Sequence, residues 1–139
     1  MLKYFALMVV VSLTTISAEP VYTALYIRNY DGDTVRLMVQ VWPDTYRAVN
    51  VRLLGIDTPE IRGQCKQEIE AAIEAREYVR ATLQAANQIR VASYGLDKYG
   101  RMLAEIFVDG NDLGSMLRTN GMARKYDGGK RGPWCDVAS

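Results

Sequence analysis

Five β-prone runs, a long amphipathic segment after the third of them and a shorter one near the C-terminus predict an α+β fold. The architecture these elements imply is a five-stranded OB-type β-barrel, with a long helix after strand 3 and a short C-terminal helix. The first run, residues 21–28, is short, apolar and rich in β-formers, and Asp31-Gly32 after it reads as a hairpin turn. Residues 34–41 alternate, with Val35, Leu37, Val39 and Val41 on one side and mostly polar residues on the other. Trp42-Pro43-Asp44 breaks this strand. A third strand is expected over 48–56, ended by Pro59.

The long helix is expected from Lys66 to about Ala86. Ile69, Ile73, Val79 and Leu83, with Ala72 and Arg76 between them, follow helical spacing. Glu68, Glu70, Glu74 and Glu77 crowd its first half, where the helix dipole favours anions, and read as a solvated face. Strands over 88–94 and 102–108 follow. Asp109-Gly110 is a turn, and a short helix over 113–120 is closed by Gly121. The tail after Ala123 is rich in Gly, Lys and Arg and ends near Trp134-Cys135.

The 139 residues suffice for one domain. Lys3, the apolar stretch 4–13 and Ile16-Ser17-Ala18 resemble a secretory signal peptide, residues 1–18, cut before Glu19. The alternative is an uncleaved anchor, but the apolar run falls short of the ~20 residues a spanning helix needs. The mature chain is then 19–139, with a core over 21–126 and a short basic tail over 127–139. It is expected in the periplasm or secreted, without stable membrane association and as a monomer. Loss of Lys3 leaves basic and acidic residues equal in number, so any nucleic-acid binding must come from local charge. From Arg118 onward the chain is locally basic, with Arg118, Arg124, Lys125, Lys130 and Arg131 against Asp127 and Asp136, and this end either tracks a phosphate backbone or merely solubilises the chain. The chain has no histidine, which excludes His-ligated zinc and any Ser-His or Cys-His nucleophile pair. A general base must be a carboxylate, Lys or Tyr. Two cysteines, Cys65 and Cys135, favour a disulfide in an exported protein.

Chemistry concentrates in three segments: Asp31-Gly32-Asp33-Thr34, Arg52 through Glu60, and Asp97-Lys98-Tyr99-Gly100-Arg101. Asp31 and Asp33 lie two apart and share one face in extended chain, although Asp-Gly pairs often only make turns. Asp57-Thr58-Pro59-Glu60 adds two acids directly after an apolar strand; hard oxygens from separate strands suit Ca²⁺ or Mg²⁺. The competing reading is a helix N-terminus capped by Thr58 with Pro59 in the first turn. Arg52 and Arg101 offer planar forks for phosphate, although each taken alone reads as a surface ion-pair partner. Acids and arginines together point to phosphoryl chemistry.

These words, in this order and at this spacing, resemble the staphylococcal nuclease (thermonuclease) family, as does the segment 117–123 with Gly121. The resemblance covers about 21–126. It implies an OB-fold nuclease that hydrolyses DNA and RNA with Ca²⁺, sequence-nonspecifically, and leaves 3′-phosphates; Mg²⁺ or Mn²⁺ suit the same oxygens. Carried over by position, Asp33 and Asp57 ligate the metal, Thr58 adds its backbone carbonyl, and Asp31 stands behind them. Glu60 is the general base, Arg52 and Arg101 clamp the phosphate, and Lys98, Tyr99 and Tyr126 line the nucleotide pocket. The chain departs from the family in lacking a long C-terminal helix and the full pair of stacking tyrosines, and in a slightly shorter loop carrying Cys65. A Cys65–Cys135 bridge spans 70 positions and stabilises by roughly 4 kcal/mol in the loop-entropy view. It would pin the tail beside Glu60 in place of the missing helix. The other readings are a catalytically silent OB module that only binds nucleic acid, and a calcium-binding adhesive domain.

Overall fold

The computed structural model describes residues 18–135; the expected export signal, Ala18 apart, lies outside them. Five long strands form the barrel: β1 (Val21–Asn29), β2 (Thr34–Trp42), β3 (Thr45–Leu53), β5 (Ile89–Leu96) and β6 (Met102–Val108). Two-residue strands β4 (Ile56–Asp57), β7 (Asn111–Asp112) and β8 (Arg124–Lys125), with helices α1 (Lys66–Gln84) and α2 (Leu113–Thr119), complete the order. Neighbours run β3-β2-β1-β5-β6-β7, and parallel pairing of β3 with β6 (Val51 to Met102, Leu53 to Ala104) closes the sheet. The barrel is therefore the expected five-stranded one, and the β3–β6 pairing makes it mixed.

Alternation in β2 buries Val35, Leu37 and Val39 completely against Val51, Val91, Ala104 and Ile106. Val41 departs from the expected pattern and is exposed, because a bulge between Gln40 and Trp42 shifts the register as the hairpin approaches its turn. That turn is tighter than expected, so β3 starts at Thr45. At its other end β3 stops at Leu53, and Gly55, with φ of +77°, separates it from β4. The expected single strand over 48–56 is thus two, because barrel closure holds Leu53 on β6 while Ile56 turns away to pair with Lys125.

Helix α1 closes one side of the barrel through Ala72, Ala75, Val79 and Leu83. Ile73 lies outside this stripe and is exposed, a correction to the expected face. Glu68 is also a correction: it is buried rather than solvated, and its Oε2 accepts from the Gln64 backbone N–H at 2.7 Å. The helix is capped by Cys65, not Thr58. Among the described residues no helix is long and apolar enough to cross a membrane.

Candidate active site

One close approach assembles the floor of the site. A Cβ on Gly32 would stand 2.9 Å from Thr58 Cγ2 and 3.0 Å from Ala75 Cβ, so only glycine lets the β1–β2 turn press against both α1 and the segment after β4. Asn29 ties that turn to the helix, donating to the carbonyls of Asp31 (2.9 Å) and Arg76 (3.0 Å). Asp31 Oδ1 accepts from the backbone N–H groups of Asp33 (3.1 Å) and Thr34 (2.8 Å). Asp33 is thereby aimed across the gap, and its Oδ2 accepts from the Thr58 N–H at 3.1 Å.

Arg52 enters the same point from β3. Its Nη2 lies 3.2 Å from Asp33 Oδ2 and 4.0 Å from Asp57 Oδ1, while Nη1 donates to the Leu53 carbonyl at 2.8 Å. Asp31, Asp33, Arg52, Asp57 and Thr58 are all buried. Burial first, and the Asp33 charge second, push the Asp31 carboxyl up to about 7 against the opposing pull of the two backbone donors. Asp57 Oδ1 and Thr58 Oγ1 are buried without a hydrogen-bond partner, a costly condition in a protein interior. Asp57 Oδ1 faces the Arg52 and Arg131 guanidiniums without a hydrogen bond from either, and with Thr58 Oγ1 and a second carboxylate from another turn it fits a hard divalent cation in exchange for Arg131. Among the described residues the group of three ligand-type atoms that lies within 4.8 Å is Cys65, Glu68 and Cys135, and its sulfurs are joined to each other.

Arg101 comes from a separate turn. Asp97 Oδ1 accepts from the N–H groups of Tyr99 (2.9 Å) and Arg101 (3.0 Å), and Oδ2 pairs with Arg101 Nε at 2.7 Å. Burial opposes it, but these donors and the Arg101 charge hold the Asp97 carboxyl below the ordinary range. Arg101 and Lys98 both lie over the Tyr99 ring, at 5.3 and 5.1 Å. Arg52, Lys98, Tyr99, Arg101, Tyr126 and Arg131 line one open cleft of about 720 Å³. The expected phosphate-binding and nucleotide-lining residues therefore share a wall.

The C-terminal segment is part of this site. Arg124 is paired with Asp57 across β4 and β8, and its Nη2 reaches Asp57 Oδ2 at 3.3 Å. The chain then loops back, and Arg124 also donates to the carbonyls of Gly132 and, at 2.9 Å, Pro133. The Trp134 ring covers the Arg124 guanidinium at 3.9 Å, and Trp134 Nε1 donates to Asp57 Oδ2 at 3.2 Å. Cys135 follows, bonded to Cys65 with a Cα separation of 6.1 Å. Arg131 lies 3.4 Å from Asp57 Oδ1 and pairs with Glu60. Although partial burial opposes it, the charges of Asp57, Glu60 and Asp33 raise the Arg131 pKa.

Asp33, Asp57, Thr58 and Arg52 thus meet directly. Asp31 supports Asp33 from behind, and Glu60 joins the group through Arg131. The residues that sequence reasoning missed are Arg124, Arg131 and Trp134, read there as a tail that solubilises or tracks nucleic acid. The signal was available: Trp134 adjoins Cys135, whose partner lies five positions after Glu60.

The staphylococcal nuclease homologue family matches residues 50–133, and so includes Arg52, Glu60, Arg101, Arg124 and Arg131 but stops before Trp134 and Cys135. The chain is similar to an uncharacterized endonuclease of Escherichia coli O157:H7, at 28% identity over 102 residues (73% of this chain, 59% of the relative). It is similar to the endonuclease YncB of Bacillus subtilis, at 34% over 102 residues (70% and 44%). A probable endonuclease of Schizosaccharomyces pombe is 32% identical over 87 residues (58% and 37%). The chain thus spans about 37 to 59% of the length of these relatives.

Proposed function

Because the chain belongs to the staphylococcal nuclease homologue family, we propose that it is a metal-dependent phosphodiesterase acting on DNA and RNA without sequence preference and leaving 3′-phosphate ends. The observation that carries this reading is the Arg52 guanidinium set between two buried carboxylates of separate turns, on a cleft that Arg101 also lines. Surface ion pairs are seldom built this way, since desolvating such charges is costly without a further role.

Asp33 and Asp57, with the Thr58 carbonyl, are the residues that would hold the cation, Ca²⁺ by family resemblance and Mg²⁺ or Mn²⁺ by the same oxygen chemistry. When bound, the cation supplies Lewis-acid polarisation of a phosphoryl oxygen and a more acidic water. Arg52 and Arg101 take the charge that grows on the non-bridging oxygens as water attacks phosphorus, each with a fixed positive charge. The Glu60 carboxylate accepts the proton of that water, for which it must turn from Arg131. As the new P–O bond forms the P–O5′ bond breaks, and the leaving 5′-oxygen takes a proton from solvent to give a 5′-hydroxyl. Lys98, Tyr99 and Tyr126 flank the base and sugar in the cleft. Asp31 keeps Asp33 aimed by holding the backbone of the turn.

The signal-like N-terminus and the Cys65–Cys135 bridge support an exported enzyme that matures in an oxidising compartment. Degradation of single-stranded DNA and RNA by purified protein, with Ca²⁺ and with chelator, tests the reading. Cleavage that stops with chelator and leaves 3′-phosphate ends is expected. Nucleic-acid binding with no cleavage under any of these ions would reassign the chain to the silent binding modules of the fold.

A further inference from the structure

A second cleft, of about 420 Å³, shares Arg101 with the first and carries no carboxylate in its lining. Arg28, Arg36 and Arg101 line it, together with Tyr30, Thr34 and Asn50. It adjoins the site described above twice over. Arg101 lines both clefts, and Thr34 is paired across β2 and β3 with Arg52.

The way β1 delivers Arg28 departs from what a strand does by default. Side chains alternate, so Arg28 would follow Ala24 and Tyr26 toward the interior. A bulge at Ile27 breaks the alternation: Tyr26 pairs with Leu37, but Arg28 pairs with Arg36, and Ile27 and Arg28 are both exposed. Bulges near functional sites re-aim side chains in this manner. The result sets two guanidinium groups on directly opposed residues, an arrangement that destabilises a sheet. Among the described residues neither arginine forms an ion pair; Arg36 Nη1 donates to the neutral Asn50 Oδ1 at 2.9 Å. Tyr30, 54% exposed at the same rim, presents a ring of the kind on which bases stack. A locally unfavourable charge pair, produced by a bulge and left without acids, calls for an anion from outside.

We propose that this cleft is a second phosphate subsite, in which Arg28 and Arg36 bind backbone phosphates of single-stranded nucleic acid adjacent to the phosphate held at Arg52 and Arg101, with a base stacked on Tyr30. The proposal rests on the phosphodiesterase reading. It adds a direction along which the polynucleotide leaves the reacting phosphate, over β1 and β2 rather than over the C-terminal segment.

The test uses the disulfide-bonded protein in chelator, so that binding is read without cleavage. Anisotropy is followed for a labelled oligothymidylate long enough to cross both clefts and for a dinucleotide confined to the first. The double variant Arg28→Ala with Arg36→Ala should weaken the long ligand about tenfold and lower the salt slope, log K against log[salt], by about 1.4, roughly 0.7 per phosphate on a single strand. The dinucleotide should bind as before, and Arg28→Lys with Arg36→Lys should restore the slope. The double alanine variant should melt no lower than wild type, because it removes opposed like charges. Wild type that binds the long ligand, with an unchanged slope in the double alanine variant, would overturn the subsite alone. A parallel loss for the dinucleotide would also overturn it, by placing these arginines at the first cleft. Wild type that binds neither ligand in chelator would overturn the subsite, and the phosphodiesterase reading falls with it only if the same protein also fails to cleave DNA and RNA with Ca²⁺, Mg²⁺ or Mn²⁺.

Discussion

Asp57 is held from two sides that differ in construction. On one side stands the barrel, where Arg52 is fixed by β2 and β6 as neighbours and by a hydrogen bond to its own strand's end. On the other stands the C-terminal segment, where Arg124, Arg131 and Trp134 reach Asp57 from a two-residue strand and an irregular loop. The barrel side is supported by a packed core and needs no covalent help. The C-terminal side has little core of its own, so its placement depends on the Arg124 contacts and on one disulfide. The same carboxylate thus has one partner set by folding of the barrel and another set by oxidation.

Variants separate the two sides. The largest effect is expected on the barrel side. Arg52→Ala should lower kcat by about 10²- to 10³-fold, the usual loss when one charge-stabilising donor is removed. It should also lose on the order of 3 kcal/mol of stability, because Asp33 would lose its buried ion-pair partner. Turnover assays well below the melting temperature, paired with thermal melts, keep the two losses apart; an unchanged kcat would take Arg52 out of the chemistry.

On the C-terminal side, Cys65→Ser with Cys135→Ser should cost roughly 4 kcal/mol in the loop-entropy view. It should also weaken Ca²⁺ binding 10- to 100-fold, the range seen when groups that orient a metal ligand are removed. Calorimetric Ca²⁺ titration of oxidised and reduced protein makes the measurement. Equal affinities would mean that the bridge only stabilises.

A smaller effect is expected from Trp134→Phe, which keeps a ring on Arg124 but removes the donor to Asp57 Oδ2. Ca²⁺ affinity should fall about tenfold with the melting temperature nearly unchanged. The smallest change belongs to Arg131→Gln. Arg131 is half-exposed, so its hold on Asp57 and Glu60 is worth at most about 1 kcal/mol. Because it competes with a cation for those oxygens, its loss should strengthen Ca²⁺ binding by up to about fivefold. Weaker binding would instead make Arg131 a support of the site.

The elements that sequence pattern located well are those with an unambiguous period or punctuation. Strand β6 was expected over 102–108, where it lies, and α1 and α2 begin where expected. Asp33, Asp57 and Arg52 were legible as partners because acids flanked separate apolar strands and an arginine interrupted the apolar run of one of them. The errors share a cause. Ile73 fits a helical stripe as well as Ala75 does, and only contact with the β1–β2 turn decides that the stripe runs through Glu68, Ala72 and Ala75. Gly32 looked like a turn residue; its necessity comes from the proximity of Thr58, 26 positions away. Arg124 looked like tail charge because its partner, Asp57, lies 67 positions earlier.

By itself the sequence determined the barrel, its helices and the chemical character of the site, because strand alternation, helical spacing and the identities of the charged side chains are local properties. Only the tertiary structure decided which charges meet. Closure of β3 on β6, the Gly32 contact and the Cys65–Cys135 bond bring distant segments within hydrogen-bonding range. Electrostatic pairing in a buried pocket depends on those few ångströms rather than on any pattern along the chain.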